Sequence, residues 1–275
     1  MDYSQTVLFS DLDGTLFNSA GKVSPENIAA IERYMAQGGK FAISTGRQPD
    51  NARTFWPDPV TNAPSVVLNG AAVYDFNTGE YDHCVYLDRA PFWQTIHRLM
   101  AEIPPIDIQL YLLPGIRYIT PPENAQPQLL MLHRPCSWLT LEEAETMDVF
   151  KTVMYVPPEW EARLRELLAP GDGRDYRLVP GTTDVGGIIT YYELLPTLAS
   201  KGTAIDALRS HADLRGRTFF AVGDYWNDYE MLRAADIAVA PANAIDEIKA
   251  VCRYTTVSNN DHAIAHIIDE LIPSL

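Results

Sequence analysis

The sequence predicts an α/β protein: a parallel-sheet core interrupted by an inserted α/β segment of different character. Three observations carry the prediction. Apolar strand-like runs alternate with helical stripes at both ends of the chain, two of those runs stop at acidic corners, and the composition shifts between residues 88 and 190. With 275 residues and 47% hydrophobic content, the chain can bury one large core or two modest ones.

The first apolar run, residues 6–10, reads as a strand. Ser24 followed by Pro25 gives a cap and a first-turn proline. Ile28, Ile31 and Met35 recur at helical spacing and Gly38-Gly39 supplies the stop, so 24–37 reads as a helix. Residues 41–44 return as a strand and complete a β-α-β unit. A further strand over 66–68 leads into Asn69-Gly70, and 72–76 and 81–87 flank Asn77-Thr78-Gly79 as a hairpin.

Residues 88–190 hold 12 of the 20 prolines and three of the five tryptophans, and mix short strands with helices. They read as an inserted unit with helices over 91–102 and 158–168. Extended segments are expected over 107–113, 117–120, 150–156 and 187–194, and turns at Pro104-Pro105 and Pro121-Pro122. The α/β rhythm then resumes: helix 203–211, strand 218–222, helix 228–235, strand 237–239, helix 244–251, strand 254–257 and a last helix from Asp261. The core is therefore discontinuous, 1–87 with 191–275, and 88–190 is inserted.

Lys and Arg total 21 against 36 Asp and Glu, a formal charge of −15 that disfavours nucleic acid and anionic membranes in the absence of a segregated basic patch. Any phosphate site must then be built locally from a cation, backbone amides and a few basic side chains. No basic-then-apolar leader opens the chain and no apolar run approaches the ~18 residues of a membrane span, so a soluble, cytoplasmic protein is expected. Cys84, Cys136 and Cys252 lie far apart without CxxC spacing and read as buried thiols.

Asp11 and Asp13 stand two positions apart where the first strand ends. Side chains at i and i+2 of an extended backbone share a face, so both are expected to project into one crevice at the carboxyl end of the sheet, where open α/β sheets bind ligands. Two close carboxylates call for a hard cation or a retained proton, both useful in phosphoryl transfer. Taken alone, Asp13-Gly14 reads equally well as a turn. A calcium loop fails, because Gly14 comes too early and no closing Glu follows.

Ser44-Thr45-Gly46-Arg47 sets a hydroxyl beside a glycine amide at a strand-to-helix turn, a small phosphate cradle or a helix cap. In Gly223-Asp224-Tyr225-Trp226-Asn227-Asp228 a second acid, Asp224, follows a strand. Magnesium needs few protein oxygens, and Asp11, Asp224 and the Asp13 carbonyl can provide them. Asn227 and Asp228 can cap the next helix, and in Asp228 that is compatible with supporting a metal ligand. Lys201 precedes a helix without the glycine spacing of a P-loop and can reach a phosphate or simply face solvent. His262 and His266, four apart without a third ligand, read as helix surface.

In this order DLDGTL, STGR, Lys201-Gly202 and GDYWND resemble the haloacid dehalogenase-like hydrolase superfamily, specifically its Cof-type branch, subfamily IIB. Asn69-Gly70-Ala71, Asn243-Ala244 and Val257-Ser258-Asn259 extend the resemblance over essentially the whole chain. Too few residues separate Gly14 from Ser44 for a cap at the first insertion point, so 88–190 takes that role. The resemblance implies a Rossmann-like core with an α/β cap, and a magnesium-dependent phosphatase of a small phosphorylated metabolite, a sugar phosphate foremost.

The roles follow from the same resemblance. Asp11 takes the phosphoryl group. Asp13 protonates the leaving alkoxide and then activates water, and both join Asp224 around the metal. Thr45 and Gly46 hold phosphate oxygens, Arg47 and Asn69 stand beside them, Lys201 steadies phosphate and nucleophile, Asn227 touches the phosphate region and Asp228 supports the metal. Tyr225 and Trp226 are bulkier than the family pattern: they either shape a leaving-group pocket or pack under their loop. Tyr111, Trp138, Tyr191 and Tyr192 either line that pocket or form core. A phosphomutase and a non-catalytic sensor are the rival readings, and the intact Asp11–Asp13 pair argues against the sensor.

Overall fold

Short apolar runs need cover on both faces, and in this chain they become the parallel strands of a sheet. The computed structural model describes residues 1–113, 115–125, 137–184 and 188–275. Two compact units emerge: Met1–Cys84 with Ala199–Leu275, and Val85–Leu198. The first segment contributes β1 (Thr6–Ser10), β2 (Lys40–Ile43), β3 (Ser65–Val67), β4 (Ala72–Asp75) and β5 (Glu80–Cys84). The insertion contributes β6 (Asp107–Leu112), β7 (Gly115–Tyr118), β8 (Lys151–Tyr155), β9 (Arg177–Asp184) and β10 (Ile188–Leu195). The last segment adds β11 (Thr218–Val222), β12 (Ile237–Ala240) and β13 (Tyr254–Thr255).

In the discontinuous unit five parallel strands run in the order β13-β12-β11-β1-β2. The central strand β1 is buried along its whole length. Its neighbours come from opposite ends of the chain, so the strand order reverses beside β1, and α/β sheets place their ligand crevice at such a reversal. β3, β4 and β5 form an antiparallel meander, with the expected hairpin between the last two.

Helix Pro25–Ala36 starts as expected, with Ser24 Oγ accepting from the Asn27 N–H. Its buried face is Asn27, Ala30, Ile31 and Tyr34, rotated from the expected stripe because the Tyr34 hydroxyl reaches Thr6 Oγ1 at 2.7 Å. Helix Pro49–Phe55 had no expected counterpart; it has a first-turn proline, but no side chain caps its start.

The inserted unit is an antiparallel sheet, β7-β6-β8-β10-β9. Helices Arg89–Glu102 and Glu161–Leu168 share its core, through Phe92, Ile96, Leu99 and Leu164 with Ile108, Leu110, Met154, Tyr192 and Leu194. β9 was not anticipated, since Pro180 and Gly181 argue against a strand; it lies at the sheet edge, where proline is tolerated. β10 pairs with β8 and β9, so residues 191–195 belong to the inserted unit and the chain returns at Leu198/Ala199 rather than after residue 190. Cys136 and Gly187 lie outside the described residues; Cys84 and Cys252 are half-buried rather than buried. Among the described residues no helix is long and apolar enough to cross a membrane.

Candidate active site

β1 and β11 pair in register with Ser10 opposite Val222, so the residues that follow leave the sheet side by side. The Asp11 N–H donates to the Val222 carbonyl at 2.9 Å, which fixes Asp11 next to Gly223-Asp224. The neighbouring strand is tied in the same way, with the Ser44 N–H donating to the Ser10 carbonyl at 2.8 Å, so Thr45 leaves β2 beside Asp11.

Lys201 is the first residue of helix Lys201–Leu208, which Ser200 caps through the Thr203 N–H. That helix approaches its neighbour closely because residue 202 is glycine; a Cβ there would stand 2.6 Å from the Glu230 carbonyl oxygen. The Lys201 side chain is fully buried and donates from Nζ to Asp11 Oδ1 and Asp228 Oδ1, each at 2.6 Å. The other oxygen of Asp228 accepts the N–H groups of Asp224 (3.0 Å) and Tyr225 (3.3 Å), which closes the turn. Asp224 is held from the opposite side by the Thr15 hydroxyl at 2.8 Å.

Asp11, Asp224 and Asp228 each offer an oxygen, all within 4.8 Å of one another. Three carboxylates thus face one ammonium. Burial pushes the Asp11 carboxyl well above the usual carboxylate range; Asp228, Asp224 and Asp13 push the same way, and Lys201 opposes them. Asp224 is pushed up to about 6, first by burial and then by Asp228, with the Thr15 hydrogen bond opposing. The Lys201 ammonium is raised despite its burial, because Asp11 and Asp228 surround it. An all-oxygen set with surplus negative charge fits a hard divalent cation.

The Asp13 carboxylate is near enough to Asp11 and Asp224 to raise both electrostatically. It stands on a turn, Leu12–Leu16, with Gly14 at φ +78°. It pairs with Arg47, whose Nε and Nη2 donate to its two oxygens at 2.8 and 2.7 Å. Arg47 is itself placed by Asn51 Oδ1 at 2.8 Å and by stacking over the Phe55 ring at 4.1 Å. Both partners lie on helix Pro49–Phe55, so the helix the sequence hid is the one that aims this arginine.

Thr45 is buried, and its Oγ1 accepts the Arg47 N–H at 3.1 Å. Asn69, in the left-handed region at φ +55°, donates its N–H to the Thr45 carbonyl at 3.0 Å and sets Oδ1 against Gly46. Asn227 Nδ2 reaches that oxygen at 3.5 Å. Thr45, Gly46, Asn69 and Asn227 therefore gather on one rim. Tyr225 and Trp226 are each 52% exposed, so neither packs beneath its loop.

The remaining candidates separate. His262 Nδ1 meets Ser24 Oγ and His266 Nδ1 meets Thr256 Oγ1, each at 2.9 Å, and His262 has a left-handed backbone before the helix rather than within it. Tyr192 is core. Tyr111 lies under the Lys151 ammonium, which pairs with Glu193, and Trp138 stacks on Tyr118. Sequence reasoning gave no role to Thr15, Asn51 or Phe55, and it noted Asn243 and Asn259 only as part of the resemblance. Asn243 Nδ2 donates to the Gly14 carbonyl at 2.7 Å.

The family model described as haloacid dehalogenase-like hydrolase matches residues 8–268. A Bacillus subtilis phosphatase is 26% identical over 95% of this chain and 98% of its own. A 5-amino-6-(5-phospho-D-ribitylamino)uracil phosphatase of the same organism is 26% identical over 95% and 96%. A solved subclass IIB sugar phosphatase superposes with TM-score 0.76 at 20% identity, covering 97% of this chain and 98% of that one.

Proposed function

The chain belongs to the haloacid dehalogenase-like hydrolases, and from that premise we propose that it is a cytoplasmic, magnesium-dependent phosphatase that hydrolyses a small phosphorylated metabolite through an aspartyl-phosphate on Asp11. The observation that carries the reading is Lys201, fully buried and 2.6 Å from both Asp11 and Asp228, with Asp224 adding a third carboxylate that one ammonium does not balance. Asp11, Asp224 and the Asp13 carbonyl would hold magnesium, with the Asp228 carboxylate in reach. Bound there, the ion supplies charge compensation for the carboxylates and the phosphate.

Asp11 attacks phosphorus with a carboxylate oxygen while the bond from phosphorus to the leaving oxygen breaks. Asp13 gives that oxygen a proton. It then takes one from the water that attacks the aspartyl-phosphate, releasing inorganic phosphate and restoring Asp11. The Asp13 side chain is 56% exposed, as suits a group that exchanges protons with substrate and water in turn. The Thr45 hydroxyl and Gly46 N–H are assigned to phosphate oxygens, Arg47 to orienting Asp13, and Asn69 and Asn227 to the rim.

The inserted unit is assigned to selection of the leaving group. The exposure of Tyr225 and Trp226 favours the reading in which they meet that group too. The ribitylaminouracil phosphatase and the sugar phosphatase are both named for phosphates of polyhydroxylated carbon chains, and a sugar or polyol phosphate is the class we propose. Asp11→Asn is expected to abolish phosphate release from a panel of such esters, and EDTA to suppress the wild type until magnesium is restored. Full activity in either case refutes the mechanism, and isomerised sugar phosphate without free phosphate would identify a mutase instead.

A further inference from the structure

The loop carrying Asp13 turns at Gly14, and glycine gives up more backbone freedom on ordering than any other residue. The Phe17 N–H donates to the Leu12 carbonyl at 2.7 Å within the loop, and outside contacts can hold its shape further. Three asparagines from the far end of the chain do so. Asn243 Nδ2 donates to the Gly14 carbonyl at 2.7 Å, and its Oδ1 accepts the Asn259 N–H at 2.9 Å. Asn259 Nδ2 donates to the Phe17 carbonyl at 2.9 Å. Asn260 Oδ1 accepts the Ser19 N–H at 2.9 Å while its Nδ2 donates to Ser19 Oγ at 2.9 Å.

Asn243 and Asn260 each use their donor and acceptor at once, a pairing that only a carboxamide of this length offers here. The next residue is anchored as well, since Thr15 Oγ1 donates to Asp224 Oδ1 at 2.8 Å. We infer that Asn243, braced by Asn259, is a positioning residue for the reaction. It fixes the Gly14–Thr15 peptide, one peptide beyond Asp13, and so the place of the Asp13 carboxyl relative to Asp11. A misplacement of about 1 Å at a reacting group can reduce turnover by about 10²-fold.

The kinetic part of the inference rests on the phosphatase reading, so the experiment has an arm that does not. Asn243→Asp keeps the shape and the acceptor but sets an oxygen against the Gly14 carbonyl; Asn243→Ala removes both contacts. In both variants kcat per folded molecule on p-nitrophenyl phosphate with magnesium is expected to fall about tenfold or more, with KM within about threefold. Hydrogen–deuterium exchange is expected to rise over residues 12–19 and to stay unchanged in β1 and β11.

A lowered melting temperature with unchanged kcat per folded molecule would show a merely structural contact and overturn the inference, as would a rise in KM alone. A wild type without activity defeats the phosphatase reading and leaves exchange to decide: faster exchange confined to 12–19 supports the clasp, and unchanged exchange there refutes it.

Discussion

Arg47 holds Asp13 with a two-pronged grip, Nε and Nη2 on separate carboxylate oxygens at 2.8 and 2.7 Å. Lysine can keep the charge but not the fork. Arg47→Lys is therefore expected to lower kcat on p-nitrophenyl phosphate about tenfold, and Asp13→Asn by about 10²–10⁴ through loss of proton transfer. Equal kcat for Arg47→Lys and wild type would show that the fork does not orient Asp13.

Lys201 is the ammonium between two buried carboxylates, and Lys201→Met retains most of its bulk without its charge. Removing one partner of a buried ion pair destabilises by about 3–5 kcal/mol, because the remaining charges stay buried unpaired. Urea unfolding should show a loss of that order in the metal-free variant and partial recovery with magnesium, while turnover disappears. A variant as stable as wild type without magnesium would contradict the charge argument.

The Asp224 carboxyl is raised to about 6, from 3.8 in the open chain. The folded state therefore holds this proton at pH values where the unfolded chain has lost it. The resulting stabilisation is fully present below about pH 4 and lost as pH rises through about 6. Metal-free wild type should accordingly lose melting temperature across that window relative to Asp224→Asn, and magnesium should raise it more at about pH 7.5 than at about pH 5. Parallel pH curves for the two proteins would rule this out.

A Cβ at residue 14 would stand 2.4 Å from Asp224 Oδ2, on a backbone at φ +78°. Gly14→Ala faces about 1–2 kcal/mol of left-handed strain in addition to that clash. Calorimetry should find magnesium affinity weakened about tenfold or more, with Asp224 displaced. Unchanged affinity would mean the loop yields and Asp224 does not.

Trp226 gives the most direct probe of the leaving group. Trp226→Ala should reduce kcat/KM about tenfold for p-nitrophenyl phosphate, whose leaving group is planar, and spare glycerol phosphate. An equal effect on both esters would place the indole away from the leaving group.

Much of the core was legible because parallel strands are short apolar runs and acidic residues directly after them are easily seen; β1 ending at Asp11 and β11 ending before Asp224 are both of this kind. Lys201 and Thr45 stood out at helix and strand ends for the same reason. Asp13 stood out beside Asp11, but its pairing with Arg47, 34 positions away, did not. Asp228 read as a helix cap and a support for the metal, and only the fold brings it to Lys201. Asn243 is 229 positions from Gly14, a separation over which no local pattern carries information. In the insertion, Pro180 and Gly181 hid β9 because sequence rules do not know which strand will lie at an edge.

The interleaving of the two chain ends around β1 also sets a schedule for biosynthesis. Lys201 follows Asp11 by 190 residues, an interval of roughly 10–40 s at about 5–20 residues per second. Throughout it β1 has β2 on one side but nothing on the side that β11 later fills, so a strand that ends fully buried emerges with a bare edge. A chain interrupted before Lys201 lacks both the ammonium that pairs with Asp11 and the strand that covers this edge of β1.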